Sequence, residues 1–428
     1  MKKSLFGLLS ASASLLLLCI GIANAEHPVA EAQHHQREAN EAYQAGDYAA
    51  FTRSMERAHE LNPASFATKY NLACGYARTG RADEALQLLQ ELTSAQVDFG
   101  MANDPDLESL RQLPRFRGLV KTLAASITPV SNSEPYLTIE QLGIAAEGIA
   151  FDPETGRLFV GSMRSGDIYV IDADKQFSKF ASLADSGVYS AIGLTVDHTR
   201  NVLWSAATSF FMAEGFDADE PRAAGIFGFD LATGVLKHQY LADESVNGFN
   251  DVVVVPNGDV YVSGDVLHVL AAGSDQLRPF VTSPAPFGSN GITSDSTGQT
   301  LFVSSYPVGI GVVEIATGEL RYLDSPADKP LYGIDGLYWH AGDLIGIQNG
   351  IQPWRLLRMR LNDDATAISS VDIIEFANPA LTATTGAIDG ERIHYVGQGP
   401  APQTPPSQFP QALAPYLGKT VIMTAPLN

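Results

Sequence analysis

The chain has 428 residues, of which 27 are Lys or Arg and 48 are Asp or Glu, so its formal net charge is −21 at pH 7. A surface this acidic repels phosphate backbones and anionic lipids, which argues against nucleic-acid and membrane partners. The length exceeds that of one usual domain, and two structural units are expected.

The first 25 residues have the composition of a secretory signal peptide. Lys2 and Lys3 precede an apolar run over residues 5–22, and the small residues of Ala23-Asn24-Ala25 then provide a cleavage site. The mature chain is therefore expected to begin near Glu26, without a membrane span, and to be periplasmic or secreted.

The two cysteines exclude an intramolecular disulfide in the mature chain. Cys19 leaves with the signal peptide, and Leu18 before it does not fit the small residue that lipid attachment needs. Cys74 remains, although the compartment would permit a disulfide. It lies on an apolar helical face, so a place in a hydrophobic core is predicted.

Residues 34–93 repeat with a period of 34, in which Gly46 recurs as Gly80. Each glycine lies where one helix must end before the next begins. This pattern resembles tetratricopeptide repeats, so residues 26–126 are predicted to form a small all-α, tetratricopeptide-like helical module. Two interpretations of it stay open: a groove that docks a protein partner, or a helical cap packed on the rest of the chain.

Residues 127–135 contain Pro and Ser without clear periodicity and are predicted to be a linker. From residue 147 onward one pattern returns six times: a polar residue, a glycine, an apolar strand, a turn and a second apolar strand. The recurring glycines, or the residue in their place, are Gly148, Gly193, Asp251, Gly291, Gly336 and Gly386. Short strands in repeats of this length are typical of propeller blades, so residues 136–428 are predicted to form an all-β six-bladed β-propeller. The stretch 136–139 is expected to complete the last blade and close the ring.

The residue before each recurring glycine is expected at the rim of the central channel. In blade order these residues are Glu147, Ile192, Asn250, Asn290, Asp335 and Thr385, with Asp251 beside Asn250. Two carboxylates and two amides thus converge, and hard oxygen ligands without His or Cys suit calcium or a similar divalent metal ion. The alternative is that Asn and Asp only cap turns at strand starts.

The blade order and these oxygen-bearing side chains resemble the regucalcin–gluconolactonase family of six-bladed propellers over roughly residues 136–428. The resemblance implies that Glu147, Asn290 and Asp335 are ligands of a divalent ion, with Ca²⁺ expected, and that Asn250 is a ligand or a substrate contact. It also implies that Asp335 is catalytic and moves protons. In such a site the ion polarises a lactone carbonyl and stabilises the oxyanion that forms.

Two departures from the family pattern affect the expected substrate. Gly248 stands where sugar-lactone hydrolysing members place an Arg, and Ile192 stands where paraoxonase-like enzymes place a His. A small molecule less polar than a sugar acid, either a lactone or a carboxylic ester, is therefore expected. The residues expected to contact it are Asn250, Asp251, Arg164, Tyr306 and Gln348. The aromatic loop at residues 208–222 is interpreted as an apolar lid or as a segment packed on the helical module.

The leading functional hypothesis is a metal-dependent hydrolase of lactones or esters. The alternative from another class is a non-catalytic propeller that binds a ligand or partner, with the helical repeats recruiting another protein. A third hypothesis is a lyase or synthase of the strictosidine-synthase type, which does not need the oxygen ligands. The fold alone does not decide among these, since propellers support many functions.

Overall fold

The computed structural model describes residues 28–187, 189–217, 219–220, 222–280, 288–326, 329, 331–381, 383–398 and 418–427. The predicted signal peptide at residues 1–25 lies outside them. Within these ranges, no helix combines the length and the apolar character that crossing a membrane requires.

The helical module predicted from the sequence is present at the front of the described chain. Its helices are α1 (Pro28–Gln44), α2 (Tyr48–Leu61), α3 (Phe66–Arg78), α4 (Ala82–Ser94), a 3₁₀ helix (Pro105–Leu110) and α5 (Pro114–Ser126). The ends of α1 and α3, at residues 44 and 78, are 34 residues apart, as are the starts of α2 and α4, at 48 and 82. The period of the sequence therefore reappears in the helix boundaries, while the tetratricopeptide identity stays a prediction.

The turns inside the two helical pairs need glycine. Gly46 has φ of 74° and Gly80 has φ of 81°, a left-handed conformation that costs glycine little because it has no Cβ. Directly after the first turn, Asp47 caps α2 by accepting a hydrogen bond from the Ala50 N–H at 2.9 Å. These local signals explain why the sequence predicts the helical pairs correctly.

The rest of the described chain consists mainly of antiparallel strands. In chain order they are β1 (Glu134–Leu142), β2 (Ala146–Asp152), β3 (Arg157–Ser162), β4 (Asp167–Ile171), β5 (Phe177–Ser182), β6 (Ser190–Asp197), β7 (Val202–Thr208), β8 (Ala224–Asp230), β9 (Leu236–Leu241), β10 (Phe249–Val254), β11 (Val260–Gly264), β12 (His268–Leu270), β13 (Leu277–Pro279), β14 (Ser289–Ser294), β15 (Thr300–Ser305), β16 (Gly309–Glu314), β17 (Leu320–Tyr322), β18 (Ile334–His340), β19 (Asp343–Gln348), β20 (Arg355–Leu361), β21 (Ile368–Phe376), β22 (Gly386–Asp389), β23 (Arg392–Gln398) and β24 (Lys419–Pro426). They form six four-stranded sheets, which are the blades of a six-bladed β-propeller. Blades 1 to 5 are β2–β5, β6–β9, β10–β13, β14–β17 and β18–β21, so the predicted fold class is confirmed.

The sixth blade closes the ring by joining both ends of the propeller. Its sheet has the order β1-β24-β23-β22, and Leu137 of β1 pairs with Ile422 of β24. The strand from the front of the propeller therefore completes the last blade, as expected from the stretch 136–139. Closure also covers a sheet edge that would otherwise present unpaired N–H and C=O groups.

The recurring glycines are explained by the close approach of neighbouring inner strands. A Cβ on Gly148 would lie 2.2 Å from the Ile192 carbonyl oxygen, and one on Gly291 would lie 2.5 Å from the Asp335 carbonyl oxygen. No other residue fits without displacing backbone. Between the blades the interior is apolar, and Trp204 is 1 % exposed there.

The helical module packs directly on blades 4 and 5. Its core includes Tyr332 and Ile351 from the loops of the propeller. Arg355, at the start of β20, donates hydrogen bonds to the carbonyls of Ala95 (3.0 Å) and Gln96 (2.9 Å). The structure thus shows a helical cap on the propeller, which was one of the two interpretations of this module.

The segment between α5 and β1, predicted to be a linker, lies along the edge of blade 5. Val130 and Phe376 exchange two backbone hydrogen bonds of 2.9 and 3.0 Å. Asn132 adds a side-chain bond to the Ile374 carbonyl at 2.7 Å. The backbone of this segment is therefore hydrogen-bonded to β21, which supports the packing of the helices on the same blade.

Candidate functional site

Four of the predicted site residues occupy the same position in their blades. Glu147, Asn250, Asn290 and Asp335 are each the second residue of an inner strand, in β2, β10, β14 and β18. The strands begin at the same end of the ring, which we call the mouth. Their register therefore brings four polar side chains from blades 1, 3, 4 and 5 to one level of the central channel.

Three carboxylates at this level are buried and influence one another. Glu147, Asp251 and Asp335 are 5 %, 9 % and 8 % exposed. Burial raises the pKa of Asp251 and of Asp335 to about 7, because it penalises the charged form. Burial, and then the charges of Asp335 and Asp251, raise the pKa of Glu147 well above its usual range. The charges of the three carboxylates therefore influence one another's pKa. The sequence predicts such proximity for Glu147 and Asp335.

Asp335 is held by amide donors from two blades. Its Oδ2 accepts a hydrogen bond of 2.6 Å from Asn349 Nδ2, and the side chain of Asn290 also bonds to it. Both bonds favour the charged carboxylate and lower its pKa, which partly offsets the effect of burial. Sequence reasoning missed Asn349, although the pair Asn349-Gly350 at the end of an apolar strand is a signal of the same kind as Asn290-Gly291.

Asp251 occupies the place of the recurring glycine in blade 3. One carboxylate oxygen accepts from the Val252 N–H at 2.9 Å, and the other accepts from the Ile292 N–H of blade 4 at 3.4 Å. Its carboxylate therefore joins blades 3 and 4 below Asn250. Asn250 itself is half-buried at the mouth, where its side chain remains accessible.

Glu147 supplies the observation that bears on a bound cation. Its Oε2 is buried and has no hydrogen-bond partner within the described part of the chain. The side chain of Thr384 bonds to the same carboxyl group and lowers its pKa. A buried carboxylate oxygen without a donor, whose pKa is raised by the charges of two further carboxylates, fits a divalent cation coordinated by oxygen ligands.

Tyr338 lies between the carboxylates and the lower part of the channel. The sequence did not indicate that this side chain belongs to the site. Its hydroxyl oxygen accepts a hydrogen bond of 2.5 Å from the Gly386 N–H. Burial, followed by the charge of Asp251, raises its pKa well above the usual range, so the phenol stays protonated. Tyr338 and Asp251 also line a cavity of about 380 Å³ inside the ring.

The predicted substrate contacts from the loops lie in different surroundings. Tyr306 is 37 % exposed at the mouth, and its hydroxyl donates to Asn349 Oδ1 at 3.0 Å. Gln348 is fully buried and donates to the Tyr332 carbonyl at 2.8 Å, so its amide supports a loop and does not face the mouth. Arg164 forms an ion pair of 2.5 Å with Glu214.

That ion pair ties the aromatic loop at residues 208–222 to blade 1. Met212 of this loop is 3 % exposed and packs on Ala145 and Met163, whereas Phe211 is 52 % exposed. The described part of this loop therefore packs on blade 1 next to the start of β2, and its two interpretations stay open.

The two departures from the family pattern have local structural causes. A Cβ on Gly248 would lie 3.0 Å from the side chain of Thr208, so this place is already filled. Thr208 Oγ1 also donates to the Phe249 carbonyl at 2.8 Å, which fixes it there. Ile192 is 8 % exposed and gives blade 2 an apolar side chain at the level of the carboxylates.

A second group with metal-ligand spacing lies in the helical module. In the described ranges, only Cys74, Asp104 and Asp106 form a trio of His, Cys, Asp or Glu side chains whose ligand atoms lie within 4.8 Å of one another. Tyr70 donates to Asp104 at 2.6 Å, and Tyr43 donates to Asp106 at 2.8 Å. Burial raises the pKa of the Cys74 thiol, which keeps it protonated. This trio is thus an internal hydrogen-bonded cluster that joins helices.

Fold and site together define a six-bladed β-propeller with an acidic mouth and a helical cap. No known family model matches the chain, and no curated protein matches it. Solved structures with a similar fold include a calcium-binding protein, regucalcin, from Agrobacterium tumefaciens, which is 16 % identical, with 67 % of this chain and 93 % of that chain covered and a TM-score of 0.44. A gluconolactonase from Xanthomonas campestris is 14 % identical, with 70 % and 97 % covered and a TM-score of 0.44. Virginiamycin B lyase from Staphylococcus aureus is 14 % identical, with 68 % and 98 % covered and a TM-score of 0.43. At identities of 14–16 % and TM-scores of 0.43–0.44, the activities of these proteins are not attributed to this chain.

Proposed function

We propose that this chain is a divalent-metal-dependent hydrolase of a lactone or a carboxylic ester, exported to the periplasm or outside the cell. The observation that carries the proposal is the group of three buried carboxylates at the mouth, Glu147, Asp251 and Asp335. None of them has its pKa lowered by a basic side chain of the described residues. Buried carboxylates must be neutralised by protons or by a cation, and a single divalent cation compensates the negative charge of two carboxylates.

The ligand set supported by the geometry is Glu147, Asn290 and Asp335, with Asn250 at the half-buried rim. All four offer oxygen atoms, which suits Ca²⁺ and leaves positions for water and substrate. A divalent ion bound there would polarise the substrate carbonyl and stabilise the negative charge that develops on its oxygen. Blades 1, 4 and 5 would then be tied together across the ring.

Asp335 is proposed to accept the proton of the attacking water. In the ion-free chain burial raises its pKa to about 7, and a bound divalent ion would lower that pKa, so the carboxylate would be ionised and able to accept a proton at neutral pH. Asn349 holds Oδ2, so the carboxylate plane has a fixed orientation toward the mouth. The half-buried Asn250 and the exposed Tyr306 are proposed to orient a substrate.

The surroundings favour a substrate without a carboxylate or many hydroxyl groups. Thr208 fills the space beside Gly248, and Ile192 contributes an apolar wall. Binding of a sugar acid would need a cationic side chain at that place. An uncharged lactone or ester fits the same wall by apolar contact, with the carbonyl directed to the carboxylate level.

The test is a hydrolysis panel of aliphatic lactones and aryl esters, run on chelator-treated protein before and after addition of calcium. Hydrolysis is expected only with the ion. Asp335→Asn is expected to lower the rate about 100-fold or more, a magnitude typical for loss of a general base. Asp251→Asn, next to the proposed ligands, is expected to lower it less. An ion-independent rate, or an Asp335→Asn variant as active as the wild type, would contradict the proposal.

A non-catalytic ligand-binding propeller is the second candidate, favoured by Gly248 and Ile192 at positions where related enzymes place Arg and His. It predicts calcium binding without turnover of any lactone or ester. The same panel, combined with a calcium titration, separates the two: binding with turnover supports the hydrolase, and binding without turnover supports the binding protein.

A further inference from the structure

The helical module contacts the two propeller loops that reach Asp335. These loops are residues 306–308, between β15 and β16, and residues 349–354, between β19 and β20. Both lie at the mouth, because each joins the second and third strands of its blade. The first carries Tyr306 and the second carries Asn349.

Tyr306 and Asn349 form a chain of hydrogen bonds that ends on Asp335. The Tyr306 hydroxyl donates to Asn349 Oδ1 at 3.0 Å, and Asn349 Nδ2 donates to Asp335 Oδ2 at 2.6 Å. The Asp335 carboxylate and the Ala383 carbonyl, 3.3 Å from Nδ2, can only accept, so the NH₂ end of the amide points to them. The Tyr306 hydroxyl donates to the other end, Oδ1, and thereby holds the amide in place from the opposite side.

A third segment, residues 332–333 directly before β18, locks the two loops to each other through its backbone. The Gly333 N–H donates to the Tyr306 carbonyl at 2.7 Å, and the Gly333 carbonyl accepts from the N–H groups of Asn349 (3.1 Å) and Gly350 (2.9 Å). A Cβ on Gly350 would lie 2.5 Å from Gly333 Cα and 2.9 Å from the Tyr306 ring. Gly333 itself has φ of 70°, a left-handed conformation that favours glycine.

The helices hold each of these loop segments from the other side. Asn62 Nδ2 donates to the carbonyl of Pro307, the residue after Tyr306, at 3.0 Å. The Phe66 N–H donates to the hydroxyl of Tyr332, the residue before Gly333, at 2.8 Å, and the two rings stack with centroids 5.7 Å apart.

The loop of Asn349 has its own helical contacts. The Asp98 N–H donates to the Gln352 carbonyl at 2.8 Å. Ile351, 1 % exposed, is part of the hydrophobic core of the helical module. All three loop segments around Asp335 are thus bound by the helices within one to three residues of Tyr306, Gly333 or Asn349.

We propose that the helical module is an intramolecular brace for the site and that Asn349 is its positioning residue. The helices fix the two loops, the loops fix the Tyr306–Asn349 pair, and the pair fixes the orientation of the Asp335 carboxylate. The inference rests on the proposed function, because it assigns the brace to the same metal-dependent site. It gives the module a role within the chain that differs from docking a protein partner.

The test uses full-length variants that remove either the contact to Asp335 or a contact between the helices and the loops. Asn349→Ala removes the amide, and Tyr332→Phe removes one hydroxyl in contact with α3 while keeping the ring stack. Asn362→Ala and Tyr261→Phe are matched controls: the side chain of Asn362 bonds within its own turn, and Tyr261 is equally buried in blade 3, away from the helices.

The expected result is a loss at the site that the controls do not share. Asn349→Ala should weaken calcium affinity by about tenfold or more, the effect usual for partners that orient metal ligands. It should also lower kcat on the substrate found by the panel, with KM little changed. Tyr332→Phe should weaken calcium affinity in the same direction by a smaller factor. It should also speed amide hydrogen exchange at residues 349–352, and Tyr261→Phe should do neither.

Hydrogen exchange reports the brace in any variant that folds, whether or not a substrate is known. If the wild type responds to calcium while Asn349→Ala and Tyr332→Phe keep full affinity and slow exchange, the brace is refuted and the proposed function stands. If the wild type shows no response to any divalent ion, the proposed function fails and the brace fails with it.

Discussion

The replacement Asp335→Asn is predicted to stabilise the chelated protein at pH 8 and to abolish the stabilisation that calcium gives the wild type. In the ion-free chain, burial raises the pKa of Asp335 from 3.8 to about 7. The folded state therefore binds more protons than the unfolded state between these values, and the free energy of unfolding falls as the pH rises through this window. Above about pH 7 Asp335 is ionised in both the folded and the unfolded state, and the free energy of unfolding falls no further.

The magnitude follows from the size of that shift. About three pKa units at 1.36 kcal/mol each give a penalty of about 4 kcal/mol at pH 8, of which about 3 kcal/mol accrues between pH 5 and pH 8. The amide of Asn cannot ionise, so it escapes the penalty, but it meets the donors of Asn290 and Asn349 less well, at a cost of about 1–3 kcal/mol. The net effect is a variant about 1–3 kcal/mol more stable than the wild type at pH 8.

Thermal unfolding in chelator at pH 5 and pH 8 measures this difference. The melting temperature of the variant relative to the wild type should rise by about 2–3 °C from pH 5 to pH 8, since roughly 400 residues give about 1 °C per kcal/mol. With calcium at a hundredfold excess over its dissociation constant, the wild type should gain about 2.7 kcal/mol and the variant nothing. Asp363→Asn, at an exposed turn of blade 5, is the control, and its melting temperature should follow that of the wild type at both pH values. A variant destabilised equally at both pH values in chelator would refute the reasoning.

Three further predictions concern the rest of the chain. Mass spectrometry of the exported protein should find the N-terminus at or near Glu26; an intact first residue would overturn the assigned compartment. A chain that begins at Ser131 should fold into β-rich structure, with a free energy of unfolding about 3–6 kcal/mol below that of the full chain, because Tyr332 and Ile351 lose their apolar contacts with the helices. Equal melting temperatures of the two chains would contradict the packing of the helices on the propeller. A thiol reagent should label Cys74 only after denaturation, because the thiol is buried and its raised pKa keeps it protonated; rapid labelling of the native protein would disprove this.

The blades were predictable because their signal is local. In blades 1, 2, 4 and 5 a glycine lies where the next blade approaches, as at Gly148 and Gly291, and in blades 1, 4 and 5 a polar residue precedes it at the mouth. The same register predicted the level at which Glu147 and Asp335 meet. Asp251 shows the limit of the pattern, since its side chain takes the place of a glycine and bonds to the backbone of blade 4.

The loop residues were less predictable, because their roles depend on contacts between distant parts of the chain. Gln348 was expected at the mouth, whereas its neighbour Asn349 is the residue that reaches Asp335. At the end of a strand a shift of one residue turns a side chain to the opposite side, so the pattern did not give the directions of these two side chains. The role of the helical module stayed open for the same reason: its propeller contacts, Tyr332 and Ile351, lie more than 200 residues away in sequence.

Isothermal titration of the chelator-treated protein with calcium tests most directly whether the mouth is a metal site. One ion per chain is expected for the wild type, with binding lost in Asp335→Asn and retained in the exposed control Asp363→Asn. Absence of stoichiometric binding in the wild type, or equal binding in the wild type and Asp335→Asn, would contradict it.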